Sequence, residues 1–239
     1  MKRELSFTLV LLGLAATNLG CHVRSDAGLK QGAEATKPCG KEAMIDDGED
    51  GNNQVLVQDG RAGYWYTFVD EAGSTIEPQA GKKGGQFAMS PGGNGGSAMA
   101  ARMHGKVTTG GVIYCGMGMN FVDPKEQYDA GKYGGMVFYA KKGGGSTGKV
   151  RLKIPDVSTD PDGKVCKECF NDFGADMELT DNWTRYELPF IMATQEQGWG
   201  KPHLSHINPA TLYSLQWQVK VPGADYDIYV DDIAFIGCQ

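Results

Sequence analysis

No stretch of this 239-residue chain sustains an amphipathic helical period over three turns, which excludes a helical bundle. The apolar run from Phe7 to Ala16 is too short to cross a bilayer, where about 20 apolar residues are needed. Basic residues form no stripe, and the formal net charge is −6. Neutralising phosphates takes a concentrated basic surface, so nucleic acid is excluded as a partner. The chain has no G-x-S-x-G nucleophile elbow and no Gly-rich phosphate loop leading into a helix. Its single C-x-x-C, Cys166 to Cys169, lacks the second pair that a zinc site would need.

What the chain does have is glycine, 35 residues of it, about twice the usual share of roughly 7%. The glycines cluster at 84–85, 92–96, 110–111, 134–135 and 143–145, a spacing that punctuates short strands. Between them, apolar residues alternate with period two. Met99, Ala101 and Met103 share one face, as do Ile113, Cys115, Met117, Met119 and Phe121. The same holds for Met136, Phe138 and Ala140, for Val150, Leu152 and Ile154, and for Leu215, Trp217, Val219 and Val221. One-sided burial of this kind marks antiparallel sheets packed face to face. The expected fold is all-β, an antiparallel β-sandwich of jelly-roll type. Lys141-Lys142 and Arg151/Lys153 are read as solvated strand faces and tips. Trp65, Trp183 and Trp217 are expected in the core.

Residues 1–21 read as a bacterial lipoprotein signal. Lys2 and Arg3 precede the apolar run, and Asn18-Leu19-Gly20-Cys21 resembles a lipobox, although Asn18 stands where leucine is usual. A lipid on Cys21 would tether an exported protein to the outer membrane or cell surface, since His22 rather than Asp follows the cysteine. Simple secretion or a periplasmic location is the alternative. Residues 22–43 are polar and read as a flexible linker, leaving 44–239 as a single folded domain. Export permits disulfides. Cys39 and Cys238 are placed to join if the termini meet, Cys166 and Cys169 to close a local loop, and Cys115 to stay a buried free thiol.

Two acidic clusters bracket the domain, Ile45-Asp46-Asp47-Gly48-Glu49-Asp50-Gly51-Asn52 and Tyr226-Asp227-Ile228-Tyr229-Val230-Asp231-Asp232-Ile233. Together with the strand Gly63-Tyr64-Trp65-Tyr66-Thr67, they resemble galactose-binding-like jelly rolls, the β-sandwiches of many bacterial carbohydrate-binding modules, including the family 11 type. The resemblance covers about residues 43–237. It implies a structural calcium held by Asp47 and Glu49 from the opening and Asp232 from the ending, and calcium's preference for six to eight oxygens agrees. The other reading is that Asp46, Asp50 and Asp231 are exposed strand-end acids. Asp160-Pro161-Asp162-Gly163 reads as an ordinary Pro-Asp-Gly turn.

Sugars are held by aromatic rings stacked on their C–H faces and by amides bonded to their hydroxyls. On that ground the candidate ligand-binding residues are Tyr114, Asn120, Tyr139, Gln216 and Gln218 on outward strand faces, with Gly116 and Gly118 leaving the surface flat. Trp199, between two glycines of a loop, joins them. Packing beneath loops is the plainer alternative for these aromatics. Glycoside hydrolysis needs two carboxylates at a defined separation, and the most crowded acids suit calcium better, so the expected function is non-catalytic polysaccharide binding by a monomer. The alternatives are a structural or adhesion module with protein partners and an unrecognised polysaccharide-active enzyme.

Overall fold

A computed structural model describes residues 39–81 and 87–238, together with the backbone pairing of residues 30–31. The thirteen strands, in chain order, are β1 (Lys30–Gln31), β2 (Met44–Asp46), β3 (Trp65–Val69), β4 (Thr75–Glu77), β5 (Ser90–Pro91), β6 (Met99–Lys106), β7 (Cys115–Asn120), β8 (Gly135–Lys142), β9 (Lys149–Ile154), β10 (Phe173–Glu178), β11 (Thr184–Pro189), β12 (Ser214–Val219) and β13 (Asp225–Ile236). Eight of them form one sheet, in the order β1-β11-β8-β13-β6-β4, with β2 on β13 and β5 on β6. Five form the other, in the order β10-β9-β12-β7-β3. Among the described residues every strand pairing is antiparallel. The result is the all-β sandwich that the alternating pattern anticipates.

The inward faces fall where the period places them. Met103, Met136, Phe138, Leu152, Leu215, Trp217 and Val219 are buried in one core, and Trp65 stacks on Trp217 at a centroid distance of 5.8 Å. Cys115 is a buried free thiol, and burial pushes it up to about 11, beyond the range of a reactive thiolate. Disulfides join Cys39 to Cys238 and Cys166 to Cys169. The first of these fastens the start of the described domain to the end of β13.

Four expectations need correction. The domain boundary at 43/44 is too late, because 41–43 forms a 3₁₀ turn whose Ala43 is fully buried and Lys30–Gln31 pairs with Glu187 and Tyr186 of β11. Trp183 is not a core residue: it lies partly exposed on the outside of the larger sheet, edge-on to Tyr229 at 6.3 Å. Asp46 and Asp231 are not exposed acids, being 2% and 3% accessible. Arg151 and Lys153 are not solvated either, at 5% and 6%; a loop folds over them, as described below. Cys21 and most of the 22–43 segment lie outside the described residues. Among the described residues no helix is long and apolar enough to cross a membrane.

A buried arginine ties the N-terminal turn to the rest. Arg61, 1% exposed, donates to the carbonyls of Glu42 and Met44 and to the Tyr128 hydroxyl. Its guanidinium lies over the Tyr128 and Phe235 rings, at 5.4 and 5.6 Å. Asp59 closes the cluster by accepting from Arg61, Tyr128, Tyr133 and Lys132. Burial alone would raise its carboxyl; the hydrogen bonds and the Lys132 charge outweigh that and hold it at about 2.

Candidate functional site on the outer face of the five-stranded sheet

Register decides which outward side chains meet. Trp65 and Thr67 of β3 point inward, so Tyr66 and Phe68 point out. The pairing aligns Tyr66, Gly118, Gln216, Lys153 and Gly174 in one cross-strand row, and Phe68, Gly116, Gln218, Arg151 and Asp176 in the next. Each row runs from an aromatic edge through an amide to a charged edge. Such rows are the unit of side-chain contact in a sheet.

The aromatic edge is continuous. The ring centroids of Tyr66 and Phe68 are 6.3 Å apart and those of Phe68 and Tyr114 6.5 Å, all tilted to one another. Tyr114, 38% exposed, precedes β7 and is positioned by Asp70. The Asp70 carboxylate accepts from the amide of Tyr114 at 2.9 Å, and from Ser74 and Ala72. Burial alone would raise the Asp70 carboxyl, but these hydrogen bonds outweigh it and lower the pKa.

The amide row follows. Gln216 donates to the Tyr66 hydroxyl at 3.0 Å, and burial pushes that phenol above its usual range, so it stays neutral. Gly116 and Gly118 do not leave an open floor. A Cβ on Gly116 would meet the Phe68 ring at 2.4 Å, and one on Gly118 the Gln216 side chain at 2.9 Å and the Tyr66 hydroxyl at 3.0 Å. The glycines let the neighbouring rings and amide lie down across β7.

The charged edge is compensated throughout. Lys153 pairs with Asp172 at 2.9 Å, Arg151 with Asp176 at 3.3 Å, and Lys220 with Glu196. Residues 194–204 build a wall above it. Gly174 of β10 bridges to Thr194, whose carbonyl accepts from Arg151 at 2.6 Å. Burial would raise the Glu196 carboxyl, but the Lys220 hydrogen bond and the charges of Lys220, Arg151 and Lys153 outweigh it and hold the group ionised. Asn171 ties the loop down, its amide donating to the carbonyls of Glu196 and Trp199 and its oxygen accepting from the Glu196 amide. Trp199, 43% exposed, stands at the end of this wall.

Of the six sequence-predicted ligand residues, Tyr114, Asn120, Gln216 and Gln218 therefore share this sheet face, and Trp199 lies on the loop that borders it. Tyr139 does not join them. It is on β8 of the other sheet, paired with Arg185 and Asp231, because alternation gives the side of a strand and not the sheet it belongs to. Tyr66 and Phe68 were missed as ligand candidates, although the alternation of Trp65 and Thr67 already assigns them outward.

The acidic brackets meet: β2 pairs with β13, Asp46 opposite Ile233. The three carboxylates named for calcium are engaged elsewhere. Asp47 accepts from the amide of Glu49, Glu49 from that of Met99, and Asp232 from the side chain of Asn94. Among the described residues no three acid, histidine or cysteine side chains converge on a point that could hold a metal ion. The acids that share a cleft are Asp46 and Asp231, beside Gly48 and Trp65. Burial pushes them up to about 6 and about 7, helped by Asp50 and Asp47 for the first and by Asp232 and Glu49 for the second.

No family model and no curated protein matches the chain. Solved structures do. The family 11 carbohydrate-binding module of the cellulosomal cellulase Lic26A-Cel5E of Clostridium thermocellum aligns with a TM-score of 0.55 at 16% identity, over 86% of this chain and 97% of that one. A family 11 module of the same organism, in complex with a β-1,3-1,4-mixed-linked tetrasaccharide, aligns at 0.52 and 16%, over 73% and 89%. The family 30 module of its cellulase Cel9D-Cel44B aligns at 0.51 and 11%, over 82% and 96%. The chain thus has the two-sheet β-sandwich fold found in family 11 and family 30 carbohydrate-binding modules.

Proposed function

We propose that the protein is a non-catalytic carbohydrate-binding domain that holds an uncharged polysaccharide on the outer face of its five-stranded sheet. The observation that carries this reading is the ordering of that face: the Tyr66–Phe68–Tyr114 edge, then Gln216, Gln218 and Asn120, then cations that are all paired. Aromatic rings offer a stacking surface for sugar C–H faces, and aromatics with a polar handle suit a half-wet site. The side chains of Asn120 and Gln218 make no hydrogen bond within the described residues, and both residues are partly exposed. Because Lys153, Arg151 and Lys220 each already face a carboxylate, the face has little attraction for an acidic glycan, and a neutral one loses nothing on binding there. The fold shared with carbohydrate-binding modules supports the same reading.

A lipid on Cys21, an outer-membrane or cell-surface location and a monomeric state complete the proposal, and they rest on the sequence. The structural calcium is proposed on Asp47, Glu49 and Asp232, and it rests on the family resemblance. Asp46 and Asp231 are not offered as ligands, because all four of their oxygens accept hydrogen bonds, from Gly48, Trp65, Asn94 and Asp232.

Affinity electrophoresis in gels containing β-glucan, xylan or galactan tests the function. Retardation by at least one of these neutral polymers is expected, and it should be lost in Tyr66→Ala/Gln216→Ala at unchanged fold. Equal mobility of the wild type in every gel would end the reading.

A further inference from the structure

Two loops outside the sheet are joined into one projecting arm at the β10 edge of the proposed face. Residues 167–168 and 201 form a short antiparallel ladder: Lys167 donates to the Lys201 carbonyl at 2.7 Å and Lys201 to the Glu168 carbonyl at 3.0 Å. The Lys201–Glu168 ion pair and the Cys166–Cys169 disulfide fasten the same turn. The Glu168–Lys201 bridge sets Phe170 and Trp199 on facing limbs of the arm. Both rings are displayed: Phe170 is 59% exposed and Trp199 43%, and neither stacks on another ring among the described residues.

Phe170 is held in an unfavourable state to be there. Its φ is +72°, in the left-handed region that bulky residues avoid, and its amide is tied to the Thr159 carbonyl at 2.9 Å. An exposed ring in a strained backbone gains nothing from packing, and such outliers gather at ligand-binding sites. Gln195, Gln197, His203 and Ser205 of the same 194–205 stretch line a recess of about 350 Å³, at the small end of the size range of ligand pockets, about 300–1,000 Å³. The loop that carries Trp199 also supplies Thr194, whose carbonyl accepts from Arg151, and Glu196, which pairs with Lys220, so the arm continues the wall of the sheet face.

We infer that this disulfide-pinned arm is an end subsite, in which Phe170 and Trp199 stack on the part of a neutral glycan chain that extends beyond the β-sheet. The inference rests on the proposed sugar-binding reading and adds to it a dependence of affinity on chain length. A short oligosaccharide is held by Tyr66, Phe68 and Gln216 alone; a longer chain also reaches the arm.

The test is calorimetric titration of the full chain with a trisaccharide and a hexasaccharide prepared from whichever neutral polymer retards it. Phe170→Ala and Trp199→Ala should each weaken hexasaccharide binding about five- to tenfold, the range expected for one aromatic contact, and leave trisaccharide binding within twofold. Tyr66→Ala should weaken both. Phe170→Gly supplies an independent readout, because glycine accepts φ +72°: its melting temperature should rise while hexasaccharide affinity falls. Wild-type affinity for the hexasaccharide in both arm variants, with Tyr66→Ala still impaired, overturns the end subsite and spares the sheet-face site. A drop in melting temperature for Phe170→Gly would show a packing role for the ring and overturn it too. No binding of either sugar by the wild type removes both readings together.

Discussion

The Lys153–Asp172 pair lies beneath the charged edge of the proposed face, and its removal has a calculable consequence. The two side chains are 8% and 1% exposed and 2.9 Å apart. At an effective dielectric of about 20, their attraction amounts to about 6 kcal/mol before desolvation is subtracted. Desolvating both ions offsets most of this, so the net value of the pair is small. Losing one partner is different, because the other charge stays buried without compensation. Asp172→Asn and Lys153→Met should each destabilise the fold by about 3–5 kcal/mol, while the double variant Lys153→Met/Asp172→Leu should come back to within about 1 kcal/mol of wild type. Urea denaturation of the four proteins at one pH, followed by tryptophan fluorescence, completes the double-mutant cycle. Single substitutions that each shift the folding free energy by less than 1 kcal/mol would mean that water reaches the pair. The 194–204 loop would then not cover β9, and the argument for a compensated, neutral-glycan face would lose its basis.

Two groups of carboxyls give opposite pH dependences. Asp59, held at about 2, contributes stability that is present above its unfolded value of 3.8 and is lost as pH falls towards 2. Asp59→Asn should remove up to about 2 kcal/mol of that acid-side slope in denaturation curves taken from pH 5 to pH 2. Asp46 and Asp231, raised to about 6 and about 7, contribute stability that is complete below 3.8 and is lost as pH rises through 6 and 7. In chelator at pH 8, Asp231→Asn should therefore melt above wild type, and a lower melting point would count against the burial of that carboxyl. Calcium binding predicts that millimolar calcium raises the wild-type melting temperature at pH 8 and that EDTA reverses the rise; coincident transitions would remove calcium from the account. Cys39→Ser/Cys238→Ser opens a loop of sequence separation 199, and chain entropy sets the loss at about 5 kcal/mol, read as a lower urea midpoint.

Some of this site was legible before any coordinates. Period-two alternation assigned Met117, Leu215 and Trp217 inward, hence Gln216 and Gln218 outward, because a strand has only two sides. It could not say that Tyr139 belongs to the other sheet, since strand pairing is set by contacts far apart in sequence. Lys153 and Arg151 read as solvated for a related reason: Arg151 is held by Thr194, some 40 positions later, and Lys153 by Asp172, some 20 positions later, and no local pattern records such a contact. The acidic brackets show both sides. Their clustering signalled that the termini meet, but the side-chain directions at the Asp231–Asp232 bulge, where Asp232 adopts φ +49°, decided that Asp46 and Asp231 rather than Asp47 and Asp232 share the cleft.

By itself, then, the sequence determined the fold class, most inward faces and the local Cys166–Cys169 loop, because periodicity, turn glycines and a three-residue cysteine spacing are local signals. The Cys39–Cys238 bridge, with a separation of 199, depended on the termini meeting. Only the tertiary structure decided which outward residues form one face, which charges are buried and paired, and that Phe170 stands with Trp199 on one arm. Those are outcomes of register and loop packing, and both depend on long-range contacts that no single stretch of chain encodes.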